Sequence, residues 1–214
     1  MKKFLVTTAA LIACQPGYAG NWYVGLGLGA AHAEDVSENI AAGNSTLAQN
    51  GIGNITSSDD NSGALSLLGG YRFNAHIAAE LDYYYLGSYD MHGFTGPGRT
   101  LPSGRERNEA DAFSLAAVLT APLNDSISLF GKLGPTLTDN EEWTCTSNVW
   151  WCDHSSDTNF GTMVGAGVSF TFPRLIGAFR LEAARFSNVG DSNDEFTAGR
   201  FSALQFQYVY TFSN

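Results

Sequence analysis

The chain has 214 residues with 24 glycines, 13% aromatics and only 15% charged side chains, where a soluble globular domain carries about a quarter. Acidic residues outnumber basic ones 21 to 11 for a net charge of −10, the wrong sign for a nucleic-acid surface. The same low charge rules out a disordered chain, and beyond the N-terminus no apolar run reaches the ~18 residues that a membrane helix needs.

Met1-Lys2-Lys3 is a basic start, Phe4 to Ala13 an apolar core, and Gly17 and Ala19 are the small residues expected before a cleavage site. Residues 1–19 read as a signal peptide and 20–214 as one domain. Leu11-Ile12-Ala13-Cys14 also resembles a bacterial lipobox, which would instead make Cys14 a lipidated N-terminus; both readings export the chain.

From there the sequence alternates with period two in eight stretches, roughly 21–32, 62–73, 76–88, 111–121, 126–137, 159–171, 176–188 and 200–212. The first sets Trp22, Val24, Leu26 and Leu28 against Tyr23, Gly25, Gly27 and Gly29. The third sets Ile77, Ala79, Leu81, Tyr83 and Tyr85 against Ala78, Glu80, Asp82 and Tyr84. In the last, Leu204, Phe206, Tyr208, Tyr210 and Phe212 share one face. Each stretch has the ~9–11 residues of a tilted transmembrane strand. Links at Asn74, Leu123-Asn124-Asp125 and Pro173-Arg174 are short, and the other four are long and polar. In an up-and-down meander the short and long links lie at opposite ends, the layout of outer-membrane barrels.

Alternation alone leaves open which face is inside. A lipocalin-like barrel keeps its apolar face in; a membrane barrel turns it out. The polar face here is lined by Gly, Ala and Ser and lacks the Lys and Glu of a solvated exterior. Aromatics gather near strand ends, at Trp22, Tyr71, Phe73, Tyr83, Tyr85, Phe170, Tyr210 and Phe212, as interfacial girdles do. The expected fold class is therefore all-β, an eight-stranded antiparallel up-and-down transmembrane β-barrel.

An ordered series of motifs then resembles the OmpA-type eight-stranded transmembrane domain. It comprises Asn21-Trp22-Tyr23-Val24-Gly25, Gly69-Gly70-Tyr71-Arg72-Phe73-Asn74, Glu80 through Gly87, Gly131-Lys132-Leu133-Gly134, Val164 through Val168, Arg180-Leu181-Glu182 and Asn188-Val189-Gly190-Asp191. The resemblance implies the bacterial outer membrane and contact with its lipid and lipopolysaccharide. With the chain ending at Asn214, it also implies no peptidoglycan-binding domain. Tyr210 and Phe212 resemble the aromatic-x-aromatic signal read by the barrel-assembly machinery, although Gln207 replaces a usual glycine.

Five charges share the inward parity: Glu80, Asp82, Lys132, Arg180 and Glu182. In a narrow lumen they must pair or bind water, either as a satisfied polar filling or as a gate on an ion path. The resemblance places Glu80 and Arg180 where the family has an internal gating pair, and Val118 and Ser169 where that network has further charges. Cys145 and Cys152 form an even pair in an exported chain and are expected as a disulfide; a metal site with His154 is the alternative, and it lacks a second cysteine pair. No metal or cofactor is called for.

Loop residues offer the other candidates. Trp143, Trp150 and Trp151 flank the cysteines, Arg99, Arg105 and Arg107 lie in the second long link, and Glu34, Asp35, Glu38, Asp59 and Asp60 make the first acidic. Exposed rigid aromatics suit a host protein or glycan; the alternative is a small cluster packed over the disulfide. Arg185, at the outer rim of the lipid face, suits lipopolysaccharide phosphates. His154-Ser155-Ser156-Asp157 resembles an element of lipid A deacylases, but here it reads as a polar loop. The expected function is a monomeric outer-membrane surface protein, structural and adhesin-like, making loop contacts. A narrow ion channel is the alternative, a lipid A-modifying enzyme the third, and catalysis is not expected.

Overall fold

The structure is a computed structural model that describes residues 21–34, 41, 44, 57–92, 104–146, 151–172, 176–189 and 199–212. Alternating residues place successive side chains on opposite faces of a strand, and the described residues form nine strands: β1 (Asn21–Ala33), β2 (Ser57–Asp59), β3 (Asn61–Arg72), β4 (Ile77–His92), β5 (Gly104–Pro122), β6 (Ile127–Thr146), β7 (Trp151–Thr171), β8 (Ala178–Ser187) and β9 (Arg200–Thr211). Eight of them are staves in the order β4-β3-β1-β9-β8-β7-β6-β5, closed into a barrel by the β4–β5 pairing. Every pairing is antiparallel. The ninth segment, β2, is no stave; it lies on the outer end of β4, with Ser57 opposite His92.

Exposure decides which face is inside. Phe160 is 69% exposed and Leu26 67%, while Asp82 is 0% and Glu80 1% exposed. An apolar exterior around a charged interior is the membrane arrangement, so the lipocalin-like alternative falls. The lower rim carries Trp22, Phe73, Phe172 and Phe212, all exposed, and edge-on ring contacts join Trp22 to Tyr71 at 4.9 Å and Tyr210 to Phe212 at 5.1 Å.

Two of the short turns use one device. The Asn74 side chain accepts from the N–H groups of His76 and Ile77, at 2.8 and 2.9 Å. Asn124 does the same for Ser126 and Ile127, at 2.9 and 2.8 Å. An asparagine that closes its own turn fixes the register of both flanking strands. The Pro173-Arg174 link lies outside the described residues, as do residues 1–19, expected as a signal peptide, with Cys14 among them.

The outer half of the barrel corrects the sequence reading. β5, β6 and β7 are 19, 20 and 21 residues long, well beyond the apolar stretches at 111–121, 126–137 and 159–171. Above the lipid the outward face of a strand no longer has to be apolar, so pairing continues where the apolar alternation has stopped. Asp139↔Thr158 and Trp143↔His154 continue the ladder there. The His154-Ser155-Ser156-Asp157 element is accordingly part of strand β7 and not a loop. A second correction concerns β4. Its register shifts between Tyr85 and Ser88, where Gly87 has φ 81°, a left-handed conformation that favours glycine. The bulge inverts the parity, so Tyr89 turns inward and packs 5.9 Å from the Phe201 ring.

Candidate functional site

The five inward charges meet at mid-height in the barrel. β4 supplies Glu80 and Asp82 two residues apart, β6 supplies Lys132, and β8, across the lumen from β4, supplies Arg180 and Glu182. Arg180 Nη1 lies 2.6 Å from Glu80 Oε1. Lys132 Nζ sits among three carboxylates: 2.5 Å from Glu80 Oε2, 2.9 Å from Glu182 Oε2 and 3.3 Å from Asp82 Oδ1. All five are buried, so each desolvated charge is held by an opposite one.

Sequence reasoning left two tyrosines out of this cluster. The Tyr23 hydroxyl donates to Glu80 Oε1 at 2.7 Å and the Tyr84 hydroxyl to Glu182 Oε1 at 2.6 Å. The Arg180 guanidinium lies 5.3 Å from the Tyr23 ring centroid and 5.1 Å from that of Phe130, close enough for cation–π attraction on both sides. A signal was present: on β1 a large aromatic, Tyr23, is followed on its face only by the small residues Gly25, Gly27, Gly29, Ala31 and Ala33.

Apolar layers bound the cluster on both sides. Below it pack Tyr23, Leu68, Ala78, Val118, Phe130 and Val209. Above it a larger layer includes Tyr84, Leu86, Tyr89, Met163, Phe186 and Phe201, with Tyr84 and Phe186 edge to face at 4.9 Å. Val118, placed by the resemblance at a charged position, thus belongs to the lower apolar layer, while Ser169 lies opposite Arg180 in the β7–β8 register.

The extracellular candidates divide. Trp143 projects outward on β6 and its ring meets the His154 ring on β7 at 4.5 Å, and His154 Nε2 is 3.8 Å from Glu141. Arg107 is held on β5 by Glu109 at 3.0 Å and by Ser88 at 3.3 Å. Arg105 and Trp151 lie on β5 and β7, where the backbone alone is described; Arg99 and Trp150 lie outside the described residues. Arg185 faces outward at the rim as expected, but its guanidinium is bonded to Glu34 and so is not a bare lipid-phosphate ligand.

Cys145 and Cys152 are direct partners in the β6–β7 register. Opposed residues of an antiparallel pair have Cα atoms about 4.5–5.5 Å apart, inside the disulfide range. We expect both to be oxidised, with no thiol available to alkylation in protein taken from intact cells under denaturing conditions. Reduction should loosen the hairpin tip by roughly 2–3 kcal/mol, seen as faster amide exchange around Trp143 and His154, with the barrel unchanged. Two free thiols would contradict the pairing.

A family model for the OmpA-like transmembrane domain matches residues 18–214. No curated protein matches the chain in sequence. Among solved structures, the chain resembles Neisserial surface protein A, with a TM-score of 0.52, 13% identity, and coverage of 89% of this chain and 97% of that one. It also resembles Ail, the attachment invasion locus protein of Yersinia pestis, solved in complex with the heparin analogue sucrose octasulfate. There the TM-score is 0.51 with 13% identity, over 91% of this chain and 100% of that one. At such identities the likeness concerns the fold.

Proposed function

The chain belongs to the OmpA-like transmembrane domain family, and from that premise we propose that this bacterial outer-membrane barrel works as a contact protein of the cell surface through its projecting β5–β7 hairpins. The observation that carries this reading is the mismatch in stave length. β8 and β9 end near the lipid, while β7 continues to Trp151, about 30 Å along the strand past Phe160 at ~3.3 Å per residue. A membrane anchor needs no such extension, whereas a rigid paired sheet presents side chains such as Trp143 to a partner at little entropic cost. Host protein or glycan is the class of partner proposed. Insertion is assigned to the barrel-assembly machinery reading Tyr210 and Phe212, and the working unit to a monomer.

The channel reading is the weaker one, because the charge cluster lies between two clusters of buried apolar side chains, and hydrophobic constrictions oppose ion passage. Catalysis has no support from His154 and Ser156, which stand on an exposed strand with His154 packed against Trp143. Joining Leu137 to Phe160 through a short turn tests the contact reading. The shortened protein should keep its heat-modifiable mobility, while binding of expressing cells to host cells or matrix falls on the order of tenfold. Undiminished binding would overturn the reading.

A further inference from the structure

We propose that the charge cluster in the lumen binds one further positive charge at Asp82, carried by a proton or a small monovalent metal ion. Among the described residues, the buried charged side chains are Glu80, Asp82, Lys132, Arg180 and Glu182. Three are acids and two are bases, so with all five ionised the cluster carries a net charge of −1. It lies between two clusters of buried apolar side chains, where an uncompensated carboxylate is costly and normally becomes neutral.

The contacts single out Asp82 as the acid left over. A lysine ammonium has three N–H donors. Lys132 spreads them over Glu80 at 2.5 Å, Glu182 at 2.9 Å and Asp82 at 3.3 Å, so Asp82 has the longest contact. Arg180 and the Tyr23 hydroxyl both serve Glu80 Oε1, and the Tyr84 hydroxyl serves Glu182 Oε1. Asp82 receives no such second donor. Its side chain is 0% exposed, and its Oδ2, turned into the lumen, has no hydrogen-bond partner.

The neighbouring staves supply no substitute. Leu68 stands opposite Asp82 on β3, and Ser114 stands opposite it on β5. The Ser114 hydroxyl donates to Thr136 Oγ1 at 3.1 Å, and Thr136 donates to the Phe113 carbonyl at 3.2 Å, so both hydroxyl protons are used. The ionisable groups around Asp82 are Glu80 and Tyr84 on its own strand, Lys132 on β6, Arg180 and Glu182 on β8, and Tyr23 on β1. β7 and β9 contribute Gly165 opposite Lys132 and Gln207 opposite Arg180, and neither ionises. Arg72, half-exposed at the periplasmic end, lies 5.6 Å from the Tyr23 ring and forms no ion pair among the described residues; its charge is screened by water. A proton on Asp82 Oδ2 removes the excess charge and leaves Oδ1 to accept from Lys132. A metal ion at Oδ2 balances the charge instead.

Equilibrium unfolding of the mature protein in detergent separates the two carriers. With a proton, the folded state holds one more than the unfolded chain, whose aspartates titrate near about 3.9. Stability is then lost as pH rises until the site empties, the unfolding constant growing by up to about tenfold per pH unit. With sodium, the unfolding constant at fixed pH should grow by up to about tenfold when sodium is cut tenfold against choline at constant ionic strength. Asp82→Asn keeps the shape and removes the negative charge. It should abolish whichever dependence the parent shows and match or exceed the parent's midpoint at neutral pH. Glu80→Gln strips Arg180 of its anion and should lower that midpoint. Infrared spectroscopy of the parent with carbon-13 aspartate needs no variant: a protonated-carboxyl band at neutral pH that moves with the label marks the proton. An Asp82→Asn midpoint as low as that of Glu80→Gln would overturn the proposal, because Asp82 would then be an ordinary ion-pair partner. A parent with neither the labelled band nor a sodium dependence would overturn it as well.

Discussion

Replacing Glu80 by alanine should cost about 3–5 kcal/mol of stability and leave the barrel closed to ions. The carboxylate serves three partners at once: Arg180 at 2.6 Å, the Tyr23 hydroxyl at 2.7 Å and Lys132 at 2.5 Å. Without it Arg180 loses its anion and stays buried between the Tyr23 and Phe130 rings. Lys132 keeps Glu182 and Asp82, so the loss falls mainly on Arg180. Arg180→Met should therefore repair part of the damage in the double variant, because an uncharged side chain of similar length removes the unpaired cation. Conductance should stay flat in both, since Tyr84, Met163 and Phe186 still fill the lumen above. Urea unfolding in detergent and planar-bilayer recording check the two halves separately. A rise in conductance with little loss of stability would make the pair a gate and return the channel reading to first place.

The parts legible in the sequence are those where one physical rule acted alone. Within the lipid, side chains on one face must be apolar and those on the other must fit a narrow lumen, so parity by itself placed Glu80, Asp82, Lys132, Arg180 and Glu182 together. Above the lipid that constraint vanishes. Asp139 through Trp143 and His154 through Thr158 pair as strands with polar residues on both faces, and nothing in their pattern distinguishes strand from loop. The bulge at Gly87 was hidden for a related reason. One inserted residue shifts the parity of everything beyond it, and a lone Gly beside Leu86 is an ordinary pattern. The hydroxyls of Tyr23 and Tyr84 were missed because a tyrosine on a lumen face reads as filling until its carboxylate partner is located across the barrel.

Gly29→Val should prevent normal closure of the barrel, whereas Gly63→Val should be harmless. β1 joins β9 along a seam from Tyr23↔Thr211 to Ala33↔Phe201, with Gly29 opposite Gln205. A Cβ on Gly29 would run into the Leu204 carbonyl oxygen and lie 2.8 Å from Gln205 Cα. These are main-chain atoms, so no side-chain rotamer relieves the clash, and the two strands must part or slide. Overpacking of this kind costs about 1–3 kcal/mol and at times more. Sliding by one residue would turn Gln205 and Gln207 out of the lumen and Leu204 and Phe206 into it. At Gly63 an added Cβ meets nothing within 4 Å, and valine suits a strand better than glycine. The same substitution at two glycines on adjacent strands thus separates lost flexibility from lost room. We expect the Gly29 variant to lose its compact, heat-modifiable band and the Gly63 variant to keep it with an equal or higher unfolding midpoint. Equal behaviour of the two would mean that β1 and β9 are not held this closely, and that the β1–β9 register is wrong.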